Sequence, residues 1–162
     1  MSGKIIASDR LAAIADTLRE QGRKLVLTNG CFDLLHAGHV RYLQAARALG
    51  DALAVAINAD QSVRLLKGEG RPLNNENDRA EVVAALESVD HVVVFSEARV
   101  TRVIEEVRPT IYVKGGDYTP ATLNPEERVA LEKAGAEIKI VPFEPGHSTS
   151  GLIERMRTLP SP

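Results

Sequence analysis

The sequence predicts an α/β domain, doubly wound about a five-stranded parallel sheet. Three observations predict it. Short apolar runs alternate with segments of helical periodicity five times along the chain. One run, Ala52-Leu53-Ala54-Val55-Ala56-Ile57, carries no polar side chain, as a strand covered on both faces requires. Polar, glycine-bearing segments follow the strands, where parallel sheets of this kind bind their ligands.

Residues 8–21 read as a leading helix. Lys24-Leu25-Val26-Leu27-Thr28 is the first strand and ends in a turn at Asn29-Gly30. Over 38–49, apolar residues recur at helical spacing (Val40, Leu43, Ala46, Leu49), and Gly50 stops the helix. The second strand spans 52–57, 58–77 reads as a polar loop, and a helix follows over about 78–86. The third strand is 91–95 and the next helix 98–107, which Pro109 ends. Thr110-Ile111-Tyr112-Val113 is the fourth strand and leads into Lys114-Gly115-Gly116-Asp117. A helix over 126–134 stops at Gly135, 137–141 is the fifth strand, and 150–157 the last helix. Right-handed crossovers make this a single Rossmann-like domain over 1–162, with its core over about 24–157. Segments 29–39, 58–73, 114–118 and 142–150 should then share one edge of the sheet.

Size and charge narrow the function. A chain of 162 residues fits one well-formed core. Twenty Lys and Arg against 22 Asp and Glu give a net charge of -2, with no broad basic surface for nucleic acid. Cys31 is the sole cysteine, so no internal disulfide forms and a reducing compartment is expected. Residues 1–9 lack the basic and apolar regions of a signal peptide. No apolar stretch approaches the ~20 residues that span a bilayer. The expectation is a cytoplasmic protein that engages neither nucleic acid nor membrane.

The chemistry concentrates at 29–39. Gly30 allows a sharp turn, and Gly38 opens the next helix where a side chain would obstruct a ligand. The helix start favours an anion, and His36 and His39, three apart, are expected to present both imidazoles on one face. Two imidazoles beside an anion site suit a transferring phosphate, which needs charge-stabilising donors more than a covalent nucleophile. A structural zinc using this pair with Cys31 or Asp33 lacks a matching cluster elsewhere, so no metal ligands are expected. In the loop Leu66-Lys67-Gly68-Glu69-Gly70-Arg71-Pro72-Leu73, Lys67 and Arg71 are placed to close over phosphates.

The string Gly30-Cys31-Phe32-Asp33-Leu34-Leu35-His36-Ala37-Gly38-His39 resembles the first signature of the cytidylyltransferase-like nucleotidyltransferases, G-(T/C)-F-D-x-x-H-x-G-H. The resemblance implies attack on the α-phosphate of a nucleoside triphosphate with release of pyrophosphate. It makes His36, His39 and the loop lysine Lys67 the catalytic set, with Gly30, Cys31, Phe32 and Gly38 lining the phosphate site. Lys114-Gly115-Gly116-Asp117-Tyr118 resembles the family's K-G-x-D-(Y/W), implying that Lys114, Gly115 and Asp117 hold base and ribose. His147-Ser148-Thr149-Ser150-Gly151 resembles the closing signature, implying phosphate contacts from Ser148, Thr149 and Ser150, although such residues also cap helices. The family form begins with an arginine that is missing here; the part His147 takes in binding triphosphate stays open.

From about residue 9 to 157 the pattern is closest to the branch of that family that adenylates D-glycero-β-D-manno-heptose 1-phosphate. That branch implies ATP and a sugar 1-phosphate as substrates, giving ADP-heptose and pyrophosphate for the lipopolysaccharide inner core. Asp33, Asn58 and Asp60 are then candidates for the sugar hydroxyls, and Lys67 and Arg71 for its phosphate. Asp33 serves equally well to orient a histidine or cap the helix. Mg2+ is expected with the triphosphate, retaining waters rather than sitting in a carboxylate cage. Many relatives carry a fused sugar kinase for which 162 residues leave no room, so a separate heptose kinase is expected upstream. A homo-oligomer, a dimer, is implied by the same resemblance. Two rivals remain: a cytidylyltransferase for a polyol phosphate such as glycerol 3-phosphate, and a non-catalytic nucleotide sensor. Nothing in 114–118 separates adenine from cytosine. A dinucleotide-binding dehydrogenase lacks its G-x-G-x-x-G here.

Overall fold

An apolar run without polar side chains must be shielded on both faces, and here it becomes the interior of a sheet. The computed structural model describes residues 3–116 and 118–161. β1 (Leu25–Gly30) and β2 (Ala52–Asn58) pair in parallel, and β2 is buried along its whole length. β3 (His91–Phe95) adds to β2, β4 (Ile111–Gly115) to the other side of β1, and β5 (Glu137–Val141) to β4. The order is β3-β2-β1-β4-β5, all parallel. Successive strands move outward in one direction up to β3, then the chain returns to the far side of β1. The crevice between β1 and β4 is therefore the topological switch point.

Among the described residues seven helices surround this sheet: α1 (Ser8–Glu20), α2 (Ala37–Arg47), α3 (Asp60–Lys67), α4 (Glu76–Ala84), α5 (Thr101–Val107), α6 (Pro125–Ala134) and α7 (Thr149–Arg157). Side chains alternate across β1. Leu25 and Leu27 join Leu11, Ile104 and Leu131 beneath α1, α5 and α6, whereas Val26 joins Leu43 and Val83 beneath α2 and α4. Two apolar layers thus sandwich one sheet, as expected.

The main departure is α3, which occupies part of the expected loop over 58–77. It has no apolar stripe: only Ser62 and Val63 are buried, while Leu65 and Leu66 face solvent. Polar bonds hold it instead. Asn58 Nδ2 donates to Ser62 Oγ at 3.1 Å, and the Asp60 amide donates to the Glu76 carboxylate at 2.7 Å. Neither bond has a periodic signature. α4 starts at Glu76, ahead of the expected position, because the Asn75 side chain accepts the amides of Asn77 and Asp78. β4 runs on to Gly115 because β5 continues the ladder opposite Lys114 and Gly115. No helix among the described residues is long and apolar enough to cross a membrane.

Candidate active site

The carboxyl ends of β1, β2 and β4 open into a cavity of about 810 Å³. Residues from all four segments expected to share an edge reach it, among them Cys31, Lys67, Lys114 and Ser150. The turn after β1 differs from expectation in one respect. The left-handed residue is Phe32 (φ 49°), not Gly30. A glycine is needed at 30 because the Phe32 ring folds back on it, and a Cβ there would meet that ring at 2.9 Å.

His39 lines the cavity; His36 does not. His36 is the N-cap of α2 with extended dihedrals (φ -138°, ψ 172°), just outside the helix, and its ring still lies beside that of His39. The two rings are tilted by 32° with centroids 3.9 Å apart, and the His36 ring lies nearly parallel to that of His147 at 6.0 Å. The His36 backbone N–H donates to His39 Nδ1 at 3.3 Å, which leaves the His39 proton on Nε2. Burial, helped by the neighbouring His36, pushes the His39 imidazole down to about 4, so it is neutral at pH 7. The His36 imidazole is also lowered, by burial first and by His147 second, and its Nδ1 is buried without a hydrogen-bond partner among the described residues. Gly38 does not line the cavity: the space a side chain would take there is filled by imidazoles. A Cβ would lie 2.8 Å from His147 Cβ and 2.9 Å from the His36 ring. Gly38→Ala should therefore displace both rings, lowering kcat/KM about tenfold or more with an intact far-ultraviolet circular dichroism spectrum. Unchanged kinetics would show that the stack tolerates displacement.

Asp33 lines the cavity, but its carboxylate is bonded to a neighbouring loop. Its side chain is almost wholly buried and accepts the amides of Leu73 and Asn74 at 2.8 and 2.9 Å and Arg71 Nε at 2.8 Å. Burial alone would raise the carboxyl; the Asn74 and Leu73 amides and the Arg71 guanidinium outweigh it and hold it below its ordinary value. A depressed carboxyl stabilises the fold above its unfolded value and loses that contribution as pH falls through the folded one. Asp33 thus staples the 71–74 loop to the signature turn. Asp60 faces away from the cavity to Arg79, whose guanidinium is fully buried and donates to Asp60 Oδ1 at 2.8 Å, Cys31 O at 2.7 Å and Asn74 O at 3.0 Å. Ser148 caps α7, its Oγ accepting the Gly151 amide at 2.9 Å, and it too stays off the cavity wall. Thr149 Oγ1 donates to Leu34 O at 3.2 Å, tying α7 to the signature turn. An ion pair between Arg41 and Glu144 ties the loop before α7 to α2.

The remaining expected residues converge on the cavity. Gly30, Cys31, Phe32, Asn58, Lys67, Arg71, Lys114 and Gly115 line it, as do Thr149 and Ser150. Asp117 lies outside the described residues. Burial lowers the Lys114 ammonium, with the Glu127 carboxylate acting the other way, and its Nζ lies 4.9 Å from the Tyr118 ring centroid. Burial likewise raises the Cys31 thiol, against the pull of Lys67, Arg79 and Arg71.

Several wall residues had no signal in the sequence. Tyr42 arrives from inside α2, and its hydroxyl bonds Thr28 Oγ1 at 2.7 Å. Phe143 packs against Gly115 and Gly116. Arg99 comes from the segment after β3, and Asn124 and Glu127 from the start of α6. Arg99 could have been found by extending the strand-end rule to β3; Glu127 sits at an unremarkable helical position.

Residues 27–155 match the family described as cytidylyltransferase-like. The chain is 51% identical over 155 residues to a bifunctional protein HldE of Geotalea uraniireducens, covering 96% of this chain and 31% of that one. It is 51% identical over 158 residues to a bifunctional protein HldE of Alkalilimnicola ehrlichii, covering 98% and 32%. It therefore spans about a third of the length of these curated relatives. A crystal structure of a lipopolysaccharide core biosynthesis protein from Thermoplasma volcanium superposes with a TM-score of 0.63 at 31% identity, covering 76% of this chain and 98% of that one. A pantoate-beta-alanine ligase from Francisella tularensis shares the fold at 16% identity and a TM-score of 0.63, covering 99% and 74%.

Proposed function

This chain belongs to the cytidylyltransferase-like family, and from that premise we propose that it transfers AMP from ATP to D-glycero-β-D-manno-heptose 1-phosphate. The products are ADP-heptose and pyrophosphate, for lipopolysaccharide inner-core synthesis. The observation that carries this reading is the convergence of His39 with Lys67, Arg71 and Lys114 on one cavity at the switch point of the sheet. The resemblance to HldE proteins over 96% of the chain supports the choice of nucleotide and sugar.

The sugar phosphate oxygen is anionic near neutral pH, so no general base is needed. It attacks the α-phosphorus in line, and pyrophosphate leaves. His39, with its proton on Nε2, donates to the phosphate as charge builds. Thr149 and Ser150 at the start of α7 meet the triphosphate from the same side, and His36 braces His39 from behind. Lys67 and Arg71 draw the two anionic substrates together. Among the described residues no group of three His, Cys, Asp or Glu gathers to hold a metal. The Mg2+ expected with ATP would be held through the triphosphate and would supply charge neutralisation there.

Residues 1–162 act as one nucleotidyltransferase domain in this reading, in the cytoplasm and as a homo-oligomer, with a heptose kinase supplying the 1-phosphate. The deciding experiment measures pyrophosphate release with ATP and Mg2+ across a panel of sugar 1-phosphates, repeated with CTP. Turnover with CTP and a polyol phosphate only, or ATP binding without turnover, would overturn the assignment. Lys67→Ala should lower kcat/KM about 10²-fold by removing a cation from the transferring phosphate. An unchanged value would assign Lys67 to the solvated loop.

A further inference from the structure

We propose that the Glu127 carboxylate binds the hydroxyl groups of the acceptor substrate and so selects a polyhydroxylated sugar phosphate; this rests on the reading of the cavity given above. Three observations converge on it.

Glu127 is 6% exposed and lines the cavity, yet among the described residues no hydrogen bond or ion pair reaches its carboxylate. It stands three residues after the N-cap Asn124, where a glutamate ordinarily reaches back to the capping residue's amide. Here the Asn124 side chain caps α6 alone, accepting the Glu126 and Glu127 amides at 2.9 and 3.4 Å. Lys114 feels the carboxylate without pairing with it. A carboxylate on a cavity wall that no protein donor reaches is open to donors brought by a ligand.

The residues that sequence assigned to the sugar hydroxyls are already engaged. Asp33 is taken by the 71–74 loop, Asp60 by Arg79, and the Asn58 amide by Ser62. The Asn58 carbonyl oxygen and Glu127 remain as acceptors on the wall, and of the two only Glu127 is a carboxylate.

Its side of the cavity also fits. α6 packs on the sheet face that carries α1 and α5, opposite α2. His39 and the start of α7 lie on the α2 side, where the triphosphate is read. A carboxylate repels phosphate, so Glu127 marks the end of the cavity that takes neutral donors. The sugar diol supplies such donors, while its phosphate stays with Lys67 and Arg71, also on the wall.

The test compares Glu127→Gln and Glu127→Ala with the wild type, by pyrophosphate release with ATP and heptose 1-phosphate. The acceptor KM should rise about tenfold or more, because a hydrogen bond to a charged group is lost, while the ATP KM stays within about twofold. A raised ATP KM would assign Glu127 to the nucleotide, whose base amine is also a donor, and overturn the proposal. Unchanged constants would overturn it as well. So would joint loss of ATP binding and of the folded circular dichroism spectrum in both variants, which would make Glu127 a scaffold residue. Wild-type turnover decides the functional reading separately. If only polyol phosphates react, the heptose assignment falls, and the same variants are scored against the acceptor that reacts.

Discussion

Replacing His39 by alanine is expected to lower kcat for pyrophosphate release about 10²-fold or more, with the KM for ATP nearly unchanged. The size follows from the loss of one preorganised donor to developing charge, and the split between constants from the moment at which it acts. His39 is fixed by a bond from the His36 amide to Nδ1, so Nε2–H is the atom available to phosphate. Its ring is held by Phe32 on one side and His36 on the other, at centroid distances of 5.5 and 3.9 Å. Little reorganisation is needed as the reaction proceeds. His39→Gln keeps an N–H donor and should recover part of the loss. A mutant altered in KM alone would remove His39 from the transition state.

The pH dependence follows from the same burial. The His39 ring falls from its ordinary value near 6.5 to about 4 in the folded protein. A lowered histidine favours the fold when neutral, so its contribution is complete above pH ~6.5 and erodes as pH falls toward about 4. Activity governed by this group should stay flat from neutrality down to about pH 5. Bound triphosphate, being anionic, should raise the titration of the ring. An NMR titration of the imidazole with and without a non-hydrolysable ATP analogue measures both effects, and an apo value near 6.5 would refute the burial argument.

The second large effect is structural. Arg79→Met should cost about 3–5 kcal/mol of stability and lower the melting temperature by roughly 10 °C. The Arg79 guanidinium is fully buried, and it joins three chain segments through Cys31 O, Asn74 O and the Asp60 carboxylate. Methionine keeps the volume of the stem but strands two carbonyls and leaves Asp60 without its cation. Arg79→Lys retains charge but cannot reproduce a three-way fork, so an intermediate loss is expected. Because Cys31 belongs to the signature turn, ATP affinity should weaken along with stability. A stability change below about 1 kcal/mol would show that other bonds hold the turn.

Much of the fold was legible from local pattern. The position of β2 and the range of β3 follow from runs of apolar residues, because a strand largely covered on both faces tolerates little else. β5, an edge strand with Glu137 exposed, was placed instead by the helix stop at Gly135 before it. The chain order of strands and helices fixed a parallel sheet, and that in turn fixed which segments share an edge. α3 escaped because its anchor is polar, between Asn58, Ser62 and Glu76.

The site divides in the same way. Sequence alone marked the candidate site, since Gly30 to His39 resembles the family signature, and it named Lys67, Arg71 and Lys114, which line one cavity with His39. Only the tertiary structure decided what each polar side chain does there. It turned Asp33 to a loop 40 residues away, Asp60 to Arg79 and Ser148 to its own helix, and set His36 behind His39. It also brought Arg99 and Glu127 to the wall from unmarked positions. The physical reason is that a motif's spacing records backbone geometry, which is local. A carboxylate's partner is set by whichever donors the packing brings within about 3 Å, and those come from distant parts of the chain.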